Sequence, residues 1–109
     1  MSGAAPTTAG RVRILLYLRA AEADVPSVAE AYHRISKDLA GTPGLLGNEL
    51  LREVTDPGAY AVLSEWESMA AFHDWEAGSS HRGTTSPLRP YQDGERPSPF
   101  ALFEVTAAY

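Results

Sequence analysis

The sequence predicts an α+β fold with the element order βαββαβ, the ferredoxin-like split βαβ. Three observations predict it. A strand pattern opens the apolar part of the chain, and a segment of helical period follows it. Two further strands then flank an Asp-Pro-Gly turn, ahead of a short second helix and a last strand. With 109 residues the chain makes one domain around one core.

Residues 1–10, MSGAAPTTAG, are small and polar and read as a disordered tail ahead of a single domain over 11–109. In RVRILLYLR (11–19), Val12, Ile14, Leu16 and Leu18 share one strand face, and Arg13, Leu15, Tyr17 and Arg19 share the other. Both faces are part apolar, as in a strand covered on both sides. Over 24–40, Val25, Val28, Ala29, Tyr32, Ile35 and Leu39 recur at helical spacing, with Asp24 as N-cap and Pro26 in the first turn. Gly41, Pro43 and Gly44 stop this helix.

LLGNELLREV (45–54) and Ala59 to Glu67 form a hairpin across Asp56-Pro57-Gly58. In its second strand Tyr60, Val62, Ser64 and Trp66 share a face. Ser68 caps a short helix over 69–77 with the stripe Met69, Phe72 and Trp75 or Glu76, and Gly78 ends it. Residues 79–90 are weakly helical, 91–99 form a polar loop, and FALFEVTAA (100–108) is the last strand. Two helices cover one face of four strands. The other face keeps apolar residues, so the chain is expected to pair sheet against sheet as a homodimer.

Composition excludes several classes. The net charge of −5 leaves no surplus of cations for nucleic acid. The absence of cysteine excludes a disulfide scaffold, a thiolate metal site and a cysteine nucleophile. No apolar run is long enough for a membrane span, and the N-terminus lacks the apolar stretch of a signal peptide, so a cytoplasmic protein is expected.

No glycine-rich nucleotide loop and no nucleophile elbow occurs. The histidines His33, His73 and His81 stand in no metal-binding spacing, and His33 falls on the polar side of its helix. The expectation is therefore no bound cofactor: no flavin, haem or metal. Glu65 and Glu67 flank Trp66 and read either as an acid–base pair or as ion-pair partners at a dimer edge. Trp66, Phe72 and Trp75 read either as core or as the wall of a cavity for a flat aromatic ligand.

The stretches GTPG-LLGNEL (41–50), SEWES (64–68), AAFHDW (70–75), SSHR (79–82) and PLRPY (87–91) carry a resemblance. Over about residues 11–107 the chain resembles the antibiotic biosynthesis monooxygenase (ABM) domain family. The resemblance implies a dimeric α+β barrel, with a cavity in each subunit between sheet and helices. It also implies a cofactor-independent monooxygenase that uses O2 to turn a phenol- or anthrone-like ring of an aromatic polyketide into a quinone. The alternative is a non-redox binding or cyclase-like module of the same fold.

Under the resemblance Trp66 stands at the cavity wall beside Phe72, and Trp75, Tyr60, Val62, Asn48 and His73 complete the substrate site. His81 and Arg82 follow the covering helix and are the expected catalytic pair. A neutral imidazole can take a phenol's proton, and a guanidinium can hold phenolate or peroxide oxygen. The quinone-forming members carry an Asn and a Tyr where this chain has Val62 and Phe72. The haem-degrading members need an Asn on the first strand and a His ten residues after the working Trp. Here the first strand has no Asn, and the count from Trp75 reaches Thr85.

Overall fold

A computed structural model describes residues 10–78 and 86–109. Strand β1 (Val12–Arg19) leads through a 3₁₀ turn, Glu22–Asp24, into α1 (Val25–Leu39). The hairpin β2 (Leu45–Arg52) and β3 (Ala59–Trp66) follows, then α2 (Met69–Glu76), a 3₁₀ segment Ser86–Tyr91, and β4 (Phe100–Glu104). The sheet order is β2-β3-β1-β4, with every pair antiparallel. This is the ferredoxin-like α+β fold the sequence predicts.

Register decides which side chains meet. Val12 pairs with Trp66, Leu16 with Val62, and Asn48 with Ser64. Since residues alternate across a strand, all of these share one face. On that face α1 buries Val28, Ala31, Ile35 and Leu39 against Leu18, Ala20 and Leu88. Helix α2 buries Phe72 against Val12, Ile14 and Trp66. Trp75 packs against both clusters and joins them.

Several local expectations change. Asp24 occupies the N-cap position of α1, but its backbone is already helical and its side chain makes no cap bond. The 3₁₀ turn ahead of it explains why: Val25 N–H already reaches Glu22 O, and the chain enters α1 wound rather than extended. Ala31 is buried while Ala29 is half-buried, so the buried stripe runs Val28, Ala31, Ile35, Leu39, slightly round the helix from the expected one. The expected Ser68 cap is present: its backbone is extended and its side chain accepts the Ala71 N–H at 3.1 Å.

Strand β2 ends at Arg52 because the turn begins early, and Val54 is 84% exposed within it. Gly58 has φ +93° directly after Pro57, and Ala59 N–H returns to Asp56 O at 3.0 Å, as a type II turn requires. Strand β4 ends at Glu104, opposite Val12, where its partner strand runs out. Glu65 and Glu67 do not act as a pair. Glu65 meets Arg13 at 3.2 Å on the face away from the helices, whereas Glu67 lies past the end of β3 near Gly44.

The polar loop is more ordered than its composition suggests. Asp93 N–H bonds Tyr17 O at 3.0 Å, and Tyr17 N–H bonds Pro99 O at 2.7 Å, so the loop continues the edge of β1 beyond β4. Asp93 is buried between Arg19 (3.8 Å) and Arg96 (3.5 Å), and the Arg96 guanidinium lies 3.6 Å over the Tyr17 ring. Beyond this strap, the sheet face opposite the helices presents Leu15, Leu51, Ala61, Leu63 and Phe103. Among the described residues no helix is long and apolar enough to cross a membrane.

Gly44 connects α1 to β2 at φ +82°, and a Cβ there would overlap the Ala71 Cβ of α2. Gly44→Ala is expected to cost at least about 2 kcal/mol, from the left-handed backbone and the clash together. Urea unfolding measures it, and an unchanged midpoint would contradict this packing.

Candidate functional site

The helix-covered face of the β2–β3 pair presents an ordered row of partners. Leu45 stands opposite Trp66, Asn48 opposite Ser64, Leu50 opposite Val62, and Arg52 opposite Tyr60. The row runs from aromatic at the α2 end, through the polar Asn48–Ser64 pair and the apolar Leu50–Val62 pair, to Arg52 and Tyr60.

Trp66 is 1% exposed. A buried indole needs a partner for its N–H, and Nε1 donates to Ser64 Oγ at 3.0 Å. The hydroxyl lies two residues back on the same strand face, where period-two alternation puts it. Phe72 and Trp75 are three apart on α2 and so point the same way. Their ring centroids lie 5.6 and 5.3 Å from that of Trp66, Phe72 edge-on and Trp75 tilted. Because Ser68 caps α2 directly after β3, the first turn of the helix folds back onto Trp66.

The polar part of the row faces α1. Tyr32 and Ser36, one helical turn apart, both reach Asn48. Tyr32 O–H donates to the Asn48 carbonyl at 3.2 Å, and Ser36 Oγ donates to Asn48 Oδ1 at 3.0 Å. In this orientation the amide oxygen accepts from Ser36, and the two Nδ2 hydrogens are left over.

Five expected site residues, Trp66, Phe72, Trp75, Asn48 and Val62, stand in one neighbourhood on this face. Tyr60 lies at the far end of the row, packed against the Leu18 cluster. His73 is not brought there: its side chain is 59% exposed and its Nδ1 sits 3.5 Å from Glu76 Oε1. The helix turns His73 outward because Phe72 beside it takes the buried position. His33 is exposed, as expected. His81 and Arg82 lie outside the described residues. Sequence reasoning passed over Ser36 and Ser64 as site residues. The available signal was a serine at an inward position between Val62 and Trp66, and another one turn after the inward Tyr32.

Two recesses open elsewhere on the molecule. One of about 320 Å³ lies at the edge of Trp75 and is lined by Pro43, Gly44, Glu67, Ala71 and Asp74. The other, about 270 Å³, lies largely on the face away from the helices, between Tyr17, Leu51, Ala61 and the Asp93–Arg96 strap. Among the described residues no three His, Asp or Glu side chains converge on a metal-sized point.

Near the hairpin turn Arg19 Nη2 donates to Asp56 Oδ2 at 2.9 Å. This hydrogen bond, reinforced by the charge of Arg19, holds the Asp56 carboxyl below its usual range. A carboxyl whose pKa is lowered by folding stabilises the fold above its unfolded pKa, and loses that contribution as pH falls through its folded value. Asp56→Asn is therefore expected to lower the thermal midpoint slightly at neutral pH, since both side chains are solvent-exposed. The difference from the native sequence should close in acid. A gap that persists at low pH would show that the ion pair is not its source.

A four-stranded antiparallel sheet with one helix-covered face, and an aromatic cluster between that face and the second helix, defines a class of small α+β domains. Within that class, the sequence profile of the antibiotic biosynthesis monooxygenase family matches residues 11–85, and the chain belongs to this family. Protein SchA of Streptomyces halstedii is 31% identical over 97 residues, covering 89% of this chain and 26% of SchA. A 42.8 kDa protein in the whiE locus of Streptomyces coelicolor is 33% identical over 78 residues, covering 72% of this chain and 20% of that protein. The chain thus spans about a quarter or less of these two relatives. A heme-degrading monooxygenase of Listeria monocytogenes is 26% identical over 72% of this chain and 46% of its own length. Among solved structures, a variant of SnoaB, a cofactor-independent oxygenase from Streptomyces nogalater, superposes with a TM-score of 0.75 at 21% identity. The match covers 92% of this chain and 97% of SnoaB.

Proposed function

We propose that the protein is a cofactor-independent monooxygenase that oxidises a phenol- or anthrone-type ring of an aromatic polyketide, or a related phenol, to a quinone. The observation that carries this reading is the aromatic wall of Trp66, Phe72 and Trp75 directly beside the hydrogen-bonded Asn48 and Ser64. Such a wall suits a flat ring, and the polar groups suit its oxygen. The family membership and the likeness to a cofactor-independent oxygenase support the same reading.

The chemistry balances without a further oxidant or reductant. An anthrone methylene loses two hydrogens and gains one oxygen atom of O2 as a carbonyl, and the second oxygen atom leaves as water. The deprotonated, electron-rich ring supplies the electrons, so the protein needs a dry site, a proton acceptor and a hold on developing negative charge. We assign the proton acceptor and a cation for that charge to His81 and Arg82. Val62 and Phe72 favour a second reading, a non-redox module that binds or orients a polyketide. Both are apolar where the quinone-forming members are polar, which leaves less machinery for oxygen chemistry.

Oxygen consumption by the purified protein with a panel of anthrones and naphthols, without added flavin, metal or reductant, decides between the two. Uptake with one water formed per quinone is expected, and binding without uptake would establish the second reading. Trp66→Phe should weaken the binding of a flat phenol about tenfold, the equivalent of about 1.4 kcal/mol, while keeping the fold, because a phenyl ring refills much of the space. Unchanged binding with a large loss of stability would assign Trp66 to the core alone.

We further propose that the protein is a homodimer formed through the sheet face away from the helices, where Phe103 is 52% exposed beside Leu15 and Leu63. Light scattering at micromolar protein should give roughly twice 11.7 kDa, as a large apolar interface would produce. A stable monomer at that concentration would refute it.

A further inference from the structure

We infer that Asn48 and Ser64 form a paired hydrogen-bond-donor site for an anionic oxygen, the phenolate oxygen of the substrate, with Ser36 and Trp66 as the residues that aim it. The inference deepens the proposed function and rests on it for the substrate class.

The argument begins with hydrogen-bond accounting. An asparagine amide carries one acceptor oxygen and two N–H donors, and a serine hydroxyl carries one donor and an acceptor oxygen. Ser36 Oγ donates to Asn48 Oδ1 at 3.0 Å, so the acceptor end of the amide is taken. Trp66 Nε1 donates to Ser64 Oγ at 3.0 Å, so this hydroxyl is likewise engaged as an acceptor. Each group receives a hydrogen bond, Asn48 from α1 and Ser64 from Trp66 on its own strand, and each keeps its own donor: Asn48 its Nδ2 hydrogens, Ser64 its hydroxyl hydrogen. Neither donor has a protein acceptor among the described residues.

The two groups are direct cross-strand partners on the helix-covered face, so their side chains project side by side about 5 Å apart at Cβ. That spacing suits two donors converging on one oxygen. Both residues are part-buried, where leaving donors without an acceptor is costly and a ligand that satisfies them is favoured. The row that holds them contains no carboxylate to repel an anion. Its next member is Trp66, which packs against Phe72 and Trp75, so a flat ring admitted beside this cluster would bring its oxygen to the pair.

Neutral donors preorganised by fixed neighbours stabilise developing negative charge without bringing a counter-charge. In this chain the Asn and Tyr positions of the quinone-forming members are the apolar Val62 and Phe72. The donor pair on β2 and β3 supplies a hold on oxygen that those two positions do not.

The test uses 4-nitro-1-naphthol, a flat phenol whose anion is coloured, and 1-nitronaphthalene, which has the same rings and no hydroxyl. Titrating the bound naphthol spectroscopically against pH reads its ionisation in the site. The native protein should hold the naphtholate at least tenfold more tightly than the neutral naphthol. Ser64→Ala and Asn48→Leu should each remove most of that preference while 1-nitronaphthalene binds as before. Ser36→Ala should remove part of it and Ser36→Thr restore it, because threonine keeps the hydroxyl that aims the amide. If Asn48→Leu fails to fold, the Ser64 and Ser36 variants decide alone. No anion preference in the native protein, or a preference that Ser64→Ala and Ser36→Ala leave intact, overturns the inference. Oxygen uptake with anthrones, measured in parallel, separates the two readings. An anion preference that depends on the pair but comes without uptake keeps the pair and sinks the oxygenase. Uptake and anion preference both untouched by the variants keep the oxygenase and sink the pair.

Discussion

The double pairing of β3, with β1 on one side and β2 on the other, is the constraint on which the rest of this structure depends. The register brings Trp66 opposite Val12 and Leu45, and Ser64 opposite Ile14 and Asn48. A slip of one residue would carry Tyr60, Val62, Ser64 and Trp66 to the other face and leave α2 with nothing to cover. The short type II turn at Pro57-Gly58 limits that slip on the β2 side, and the Arg19–Asp56 pair ties the same turn to the end of β1.

Given this register, the packing between sheet and helices divides into a dry aromatic part and a polar part. Trp66, Phe72 and Trp75 exclude water at one end, and the Tyr32 and Ser36 hydroxyls donate to the two oxygens of Asn48 beside them. Polar groups in a half-buried gap are tolerated only when bonded, and here each serves to orient a neighbour. The same bonds that keep the gap from being a stability liability give it a direction: acceptors turned toward protein, donors left over. That asymmetry is the basis of the site proposed above for an electron-rich ring and its oxygen.

The opposite face is organised by different means. The strap through Asp93 and Arg96 covers Tyr17 with a buried carboxylate, two guanidinium groups and a cation–π contact, and it prolongs the edge of β1 through backbone bonds. What stays open beyond it is the apolar set Leu15, Leu51, Leu63 and Phe103 beside the Arg13–Glu65 ion pair. The sheet therefore presents one face packed by its own helices, with Phe100 and Leu102 of β4 still exposed on it, and another with no covering helix.

The element order, the sheet and the aromatic stripe were legible in the sequence because each rests on short-range periodicity: alternation in β1 and β3, three-and-four spacing in α1, the Ser68 cap and the Asp-Pro-Gly turn. The identity of the polar half of the site was not. Ser36 and Ser64 are unremarkable in a linear reading and become a set with Asn48 and Trp66 only when α1, β2 and β3 are packed together. Asp93 likewise looks like an ordinary loop acid until Arg19, 74 residues earlier, and Arg96 close over it. His73 shows the reverse case. Its place beside Phe72 suggested a site, but helical geometry sends adjacent residues in different directions, and the buried position went to the phenylalanine. Periodicity is a property of neighbours along the chain, so the sequence alone determined the elements and their apolar faces. The Tyr32–Asn48, Ser36–Asn48 and Arg19–Asp93 contacts join residues on different elements, so only the tertiary structure decided these polar partnerships.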